Sequence, residues 1–171
     1  MGLFTRKKQL NIFEIIGFEL LKEHESQMIV DIAEPDFTDY KILFKDNLGI
    51  FDTVIFRIFG GKKNLSGSSV YNLIFSSSNQ ISSPNKLETL IKSILRNYGQ
   101  DKNGNDSWTL EDTNRASRGF YHRTWYFGKN NKSYSDLHID SEIYQLGITL
   151  FEDEGISLII HTANELLNFP D

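Results

Sequence analysis

Apolar positions recur along the chain at two spacings, one typical of helices and one typical of strands. The clearest helical stripe lies in the middle of the chain, where apolar residues follow one another at three- and four-residue intervals. Ser83 is a favourable N-cap, Pro84 suits the first helical position, and Gly99 suits a left-handed residue after the end. The pattern predicts an amphipathic helix over Ser83–Tyr98 with its apolar side packed on a sheet.

Two further helices are predicted near the ends of the chain. Residues Lys8–Glu23 carry apolar side chains at helical spacing. Gly17 interrupts this pattern, and in an alternative interpretation the helix stops there and Phe18–Leu21 is extended. A short C-terminal helix is predicted over Ala163–Phe169, ending at Pro170.

Runs of β-branched and aromatic residues between turn signals predict strands. The run Phe51–Phe59 is apolar on both faces, which is typical of a central strand rather than an edge strand. The last two runs are joined by a four-residue turn and are expected to form a hairpin. The predicted strands are Met28–Ile32, Lys41–Lys45, Phe51–Phe59, Val70–Phe75, Trp108–Leu110, Phe120–Phe127, Leu146–Phe151 and Ile156–His161.

The order of these elements indicates the fold class. Strands follow one another through short turns and do not alternate with helices, which argues against a doubly wound parallel sheet. No repeat and no long biased linker marks a boundary within residues 1–171. We therefore expect one α+β domain with a mainly antiparallel sheet, the Ser83–Tyr98 helix on one face, an N-terminal helix and a short C-terminal helix.

Composition narrows the function classes. The 171 residues include no cysteine, which excludes disulfides, thiolate metal sites and cysteine nucleophiles. A net charge of −5 disfavours a general nucleic-acid binder, because phosphate binding needs a basic surface. No apolar run is long enough to span a membrane, and carboxylates interrupt the apolar positions near the N-terminus. We expect a soluble cytoplasmic protein without membrane contact, although the sequence is compatible with a mature form whose leader has been removed.

The segment Arg118–Phe127 concentrates the chemistry of the chain. Its ten residues include five aromatics, two arginines and one histidine. On a strand, alternation places Phe120, His122, Thr124 and Tyr126 on one face and Tyr121, Arg123, Trp125 and Phe127 on the other. The candidate partner- or ligand-binding residues are Arg118, Tyr121, His122, Arg123 and Trp125.

Three functional interpretations of this segment compete with a purely structural one. Tyr, Trp and Arg dominate protein-binding hot spots, so the segment can form a protein interface. Alternatively, Tyr121 or Trp125 stacks on a small planar ligand while Arg123 binds an anion. A third interpretation is a hydrolase in which His122 or His138 works with a carboxylate. Aromatic strands are more often core, however, and a buried central strand is favoured over the ligand interpretation.

Other patterns are weaker. His138 and Asp140 lie two apart and supply at most half of a metal site. Asp101–Asp106 resembles the opening of a calcium loop, but Asp106 stands where the loop needs glycine, and a turn explains these residues more simply. We therefore expect no metal, no cofactor and no assigned catalytic residue.

The leading hypothesis is a non-catalytic module that binds another protein. It rests on the lack of a complete catalytic motif and on the aromatic–arginine segment. The negative net charge favours a basic partner, such as a nuclease toxin that this chain inhibits, through electrostatic steering. The sequence does not indicate an oligomeric state.

Overall fold

The computed structural model describes residues 10–19, 21–59, 69–77, 84–126, 143–151, 155–162 and 167–168. Its described helices are α1 (Ile12–Ile16), α2 (Pro84–Tyr98) and α3 (Leu110–Ser117), with a 3₁₀ helix at Lys22–Gln27. None of these described helices is long and apolar enough to cross a lipid bilayer. The described strands are β1 (Ile29–Ala33), β2 (Phe37–Leu48), β3 (Phe51–Phe59), β4 (Ser69–Ser76), β5 (Phe120–Tyr126), β6 (Ile143–Phe151), β7 (Gly155–Thr162) and β8 (Leu167–Asn168).

The described strands form one sheet. Its spatial order is β1-β2-β3-β4-β7-β6-β5, and β8 pairs with β4 beside this path. Every pair of neighbouring strands is antiparallel, and β6 and β7 form the predicted hairpin. The predicted α+β architecture with a mainly antiparallel sheet is therefore confirmed. The strand β3 lies between β2 and β4, as its two apolar faces predicted.

Helix α2 packs on one face of the sheet. It runs from Pro84 to Tyr98, as predicted, while Ser83 lies outside the described residues. Its apolar stripe joins one core cluster with inward-facing side chains of the sheet, among them Val54 and Phe75, which lie directly opposite each other. Burying one large aliphatic side chain contributes about 1.5–3 kcal/mol, so this stripe is a main source of stability. The buried α2 residues are Leu87, Ile91, Ile94, Leu95, Asn97 and Tyr98.

The N-terminal helix is shorter than the main prediction and matches the alternative. Asn11 accepts a hydrogen bond from the Glu14 amide, and the Glu14 side chain accepts one from the Asn11 amide, so a capping box starts α1. Gly17 ends it in the left-handed region at φ 74°. Phe18 then turns into the core and contacts the ring of Phe75 at 5.0 Å between centroids.

Two local predictions are wrong. Trp108–Leu110 does not form a strand, because Thr109 and Asp112 make a second capping box that starts α3. In the predicted C-terminal helix Ala163–Phe169, the described residues Leu167 and Asn168 instead form β8. A seven-residue helix has few internal hydrogen bonds, whereas the start of β4 offers backbone groups for pairing. The rest of that predicted helix lies outside the described residues.

Candidate functional site

Strand β5 carries most of the candidate residues and lies at one end of the described sheet path. It pairs in continuous register with β6, from Phe120 opposite Phe151 to Tyr126 opposite Gln145. The predicted alternation of β5 side chains between the two faces of the sheet is confirmed within these residues. Tyr121, Arg123 and Trp125 face the helices, and Phe120 and His122 face the other side.

The inward-facing aromatic residues are core. Trp125 is fully buried, and its Nε1 donates a hydrogen bond of 3.0 Å to the carbonyl oxygen of Gly99, just after α2. Tyr121 is 1% exposed and packs against the ring of Trp108 at 5.3 Å between centroids. Both side chains therefore pack in the core, and neither presents a surface to a partner or ligand in this structure.

Arg123 is buried too, and its charge is compensated within the fold. Its side chain is 4% exposed, with Nε 3.2 Å from a carboxylate oxygen of Asp101 and Nη2 3.2 Å from one of Asp112. Both terminal nitrogens also donate to the carbonyl oxygen of Ser107, at 3.2 Å. The guanidinium thus joins the loop between α2 and α3, and α3 itself, to β5. It has no charge left to offer an external anion, so the ligand interpretation loses its central residue.

Asp101–Asp106, which resembles the opening of a calcium loop, also has a structural role. Asp101 is buried and accepts hydrogen bonds from the amides of Asn103 and Asn105, at 2.8 and 3.0 Å. Its carboxylate also faces Arg123. The predicted turn is confirmed here, with Gly104 at φ 81°. Among the described residues, no group of three or more potential ligands is placed to hold a metal ion.

Tyr121 leaves one polar atom without a hydrogen bond. Its hydroxyl is buried and has no hydrogen-bond partner in the described part of the chain. Burial raises the pKa of this phenol above its ordinary value of 10.0, with nearby charges contributing less. The hydroxyl is therefore un-ionised at neutral pH and has no evident acid–base role.

The two candidate residues that stay at the surface are Arg118 and His122. Arg118 follows α3 as its C-cap residue. His122 Nε2 lies 3.0 Å from the hydroxyl oxygen of Thr124. Burial, and then the charge of Lys102, lowers the pKa of His122 below its ordinary value.

The hydrolase interpretation finds no support in the described residues. His122 has no carboxylate within hydrogen-bonding distance there, and His24 accepts only from the Leu21 amide through Nδ1. The predicted pair His138 and Asp140 lies outside the described residues. No histidine–carboxylate pair is therefore formed where the side chains are described.

His122 ends a row of polar side chains on the sheet face away from α2. Each member lies directly opposite the next on five adjacent strands, with Ser76 and Ser157 hydroxyl oxygens 3.4 Å apart. Polar side chains are common on the outer face of an antiparallel sheet, and here Thr53 is buried while His122 is exposed. The row therefore explains His122 without a catalytic role. Its members are Thr53, Ser76, Ser157, Thr149 and His122.

No protein-family model, curated protein or solved structure matches the chain.

Among the described residues, a group of exposed aliphatic side chains lies at β1, the opposite end of the described sheet path from β5. We call this surface the β1 edge. Three of its residues are close to half exposed, at 54% for Ile29, 55% for Val30 and 46% for Ile32, and Leu43 on the neighbouring β2 is 54% exposed. Among the described strands, β1 pairs only with β2, so its outer backbone groups have no strand partner.

The β1 edge was not assigned a function from the sequence. The sequence predicts a strand over Met28–Ile32, but not the position of this strand in the sheet. No local pattern marks it as an end strand, because aliphatic side chains at successive positions lie on both faces of a strand and Pro35 lies beyond β1. Exposed carboxylates border the edge, at Asp31, Glu34 and Asp36.

Proposed function

We propose that this chain is a non-catalytic binding module that recognises another protein through the β1 edge. The observation that carries the proposal is the exposure of Ile29, Val30 and Ile32 on a strand with an unpaired outer side among the described strands. An exposed edge strand with apolar side chains is a template for pairing with another chain. The leading hypothesis from the sequence is thus retained, and its binding surface moves from β5 to β1. We take the module to act in the cytoplasm.

The expected mode of binding is addition of a strand from the partner. An extended segment can hydrogen-bond to the outer amides and carbonyls of β1, while pockets between side chains provide selectivity. Each aliphatic side chain that is now half exposed would contribute on the order of 1 kcal/mol when covered. The bulge between Val30 and Ile32 interrupts the register and so restricts which segments fit.

The charges around the β1 edge favour a basic partner over a second copy of the chain. Asp31, Glu34 and Asp36 are exposed there. A two-fold pairing of two β1 edges would bring the same carboxylates together, and like charges across neighbouring strands are destabilising. Lysine or arginine residues flanking the partner strand would instead complement them. A basic protein such as a nuclease toxin fits this requirement.

Affinity capture with matched variants tests the proposal. Wild type, Val30→Lys and Leu110→Lys would each be used to recover proteins from the native host. Lysine on an edge strand opposes strand addition. Leu110 is 76% exposed at the start of α3, which packs beside β5 rather than β1, so its variant is the control.

We expect one basic protein to bind wild type and Leu110→Lys equally, and Val30→Lys at least about fivefold more weakly, since losing an interface anchor costs about 1 kcal/mol or more. A photo-crosslinker at Ile32 should then join to an extended segment of that protein. Equal recovery by Val30→Lys, or recovery of no specific protein, would overturn the proposal.

A further inference from the structure

A groove separate from the β1 edge lies between the N-terminal half of α2, the end of α1 and the turn that joins β2 to β3. Its volume is about 440 Å³. That volume lies within the range of small-molecule sites, which is roughly 300–1,000 Å³. Buried Ile16 and Phe51 contribute to its floor.

The groove has apolar walls and a polar rim on one side. Half-buried Ile15, Ile50 and Leu90 form part of the walls. The rim comes from α2, whose lining positions are spaced three, four and seven residues apart and therefore share one side of the helix. This side lies beside the core-facing stripe of α2. The rim residues are Asn85, Lys86, Thr89 and Ser93.

Lys86 supplies the single formal charge among the lining residues. It is exposed and makes no ion pair within the described part of the chain, and the lining includes no carboxylate. The first turn of α2 also has no acidic residue. One lysine at the rim over apolar walls complements a ligand with an anionic head and an apolar body.

We propose that this groove binds a small amphipathic monoanion, a medium-chain carboxylate, with its tail against Ile15, Ile50 and Leu90 and its carboxylate at Lys86. The Thr89 hydroxyl already donates to the Asn85 carbonyl oxygen at 2.8 Å, so Lys86 is the main donor for the head. The inference does not rest on the proposed function, because the groove and the β1 edge use different residues.

Decanoate below its micelle concentration, with 1-decanol as the uncharged analogue, is the probe. Isothermal titration calorimetry would compare wild type with Lys86→Gln, Lys92→Gln and Thr89→Trp. Lys92 is an exposed lysine of the same helix that pairs with Glu88 outside the groove, so its variant is the charge-matched control. Thr89 is exposed at the rim, so a tryptophan there fills the groove without entering the core.

We expect wild type to bind one decanoate. Lys86→Gln should weaken decanoate about two- to fivefold, the range for a solvent-exposed charge pair, and leave decanol unchanged. Lys92→Gln should match wild type, and Thr89→Trp should lose both ligands. Backbone chemical shifts of wild type should move at Ile15, Ile50 and Leu90, which tests the site even if a variant fails to fold.

Three results would overturn the inference. They are the absence of saturable decanoate binding to wild type, equal decanoate affinity in Lys86→Gln, and retained binding in Thr89→Trp. Sedimentation provides one further check. A change of oligomeric state in Thr89→Trp would indicate that a second copy of the chain binds at the groove. This result would also contradict the proposed small-molecule site.

Discussion

Arg123 shows how a residue suited to recognition is used for structure instead. Its guanidinium lies between two carboxylates, those of Asp101 and Asp112, and is 4% exposed. A buried charge cluster of this kind adds little compared with apolar packing, but removing one member leaves uncompensated charge in the interior. The cluster therefore holds β5, α3 and the loop between α2 and α3 in one arrangement.

Arg123→Met should destabilise the protein strongly. It leaves the carboxylates of Asp101 and Asp112 without their shared cation, and breaking a buried pair costs about 3–5 kcal/mol. The free energy of unfolding from denaturant titration measures the loss. Arg118→Met is the control, because Arg118 is exposed in the same segment and should change stability by no more than about 0.5 kcal/mol. A loss below about 1 kcal/mol in Arg123→Met would show that the cluster is not structural.

His122 gives a pH dependence with a definite sign. Its pKa in the folded protein is lowered from 6.5, mainly by burial. Between the folded pKa and 6.5 the unfolded chain binds more protons than the folded one, so this residue makes stability fall as pH is reduced through that window. Above about pH 7.5 the contribution is constant, because His122 is neutral in both states.

His122→Gln should remove this dependence. Plots of unfolding free energy against pH should be parallel for wild type and variant above about pH 7.5, and wild type should lose more stability than the variant as the pH drops below 6.5. Thermal unfolding monitored by circular dichroism across this range is the measurement. Parallel curves throughout would mean that His122 titrates normally.

At the scale of elements, the parts that could be predicted have strong local patterns. Helix α2 has a stop residue and an apolar stripe that repeats through four turns, and β3 has aliphatic residues on both faces. Helix α3 was missed because it buries only Ala116 and so has no apolar stripe. Its signal was the Thr109–Asp112 capping box, which a search for hydrophobic periodicity does not detect.

Burial of the β5 side chains and exposure of β1 could not be predicted in the same way. Burial of Arg123 depends on Asp112 and Asp101, which lie 11 and 22 positions away in sequence and meet it only in the fold. Exposure of β1 depends on its being the last strand of the sheet path, and strand order is not a local property. Periodicity gives the faces of a strand, but not which strand ends the sheet.

Helix α3 should depend on its cap more than most helices do. Thr109→Ala removes the side chain that accepts from the Asp112 amide, and loss of an N-cap typically costs about 1 kcal/mol. Asn114→Ala is the control, since it changes an exposed position within the same helix and improves helix propensity. Denaturant unfolding should show a loss for the first variant and none for the second. Equal stability of Thr109→Ala and wild type would indicate that packing alone holds α3.

At the scale of the whole molecule, the β1 edge and the groove lie far enough apart along β2 for both to be occupied at the same time. The β1 edge pairs with the first half of β2, from Thr38 to Lys41, whereas the groove uses Leu48 at the other end of that long strand. The charges also differ, with carboxylates around the edge and Lys86 at the groove. A basic partner at β1 therefore needs no residue that the carboxylate ligand uses.

Association with the protein partner should be steered by the carboxylates of the β1 edge. Replacing Asp31, Glu34 and Asp36 by their amides should lower kon about tenfold at low salt and change koff little, because bordering charges act mainly on the encounter. Val30→Lys should instead raise koff, because Val30 lies within the contact.

Raising the salt concentration from about 50 to 500 mM should slow wild-type association and leave the triple variant almost unaffected, since the Debye length falls below about 5 Å. Stopped-flow kinetics with the captured partner measures both rates, and Asp106→Asn, an exposed change near the β5 end, should behave as wild type. If Asp106→Asn lowered kon as much as the triple variant does, the partner would not be steered by the β1 carboxylates, and the proposed mechanism would be wrong.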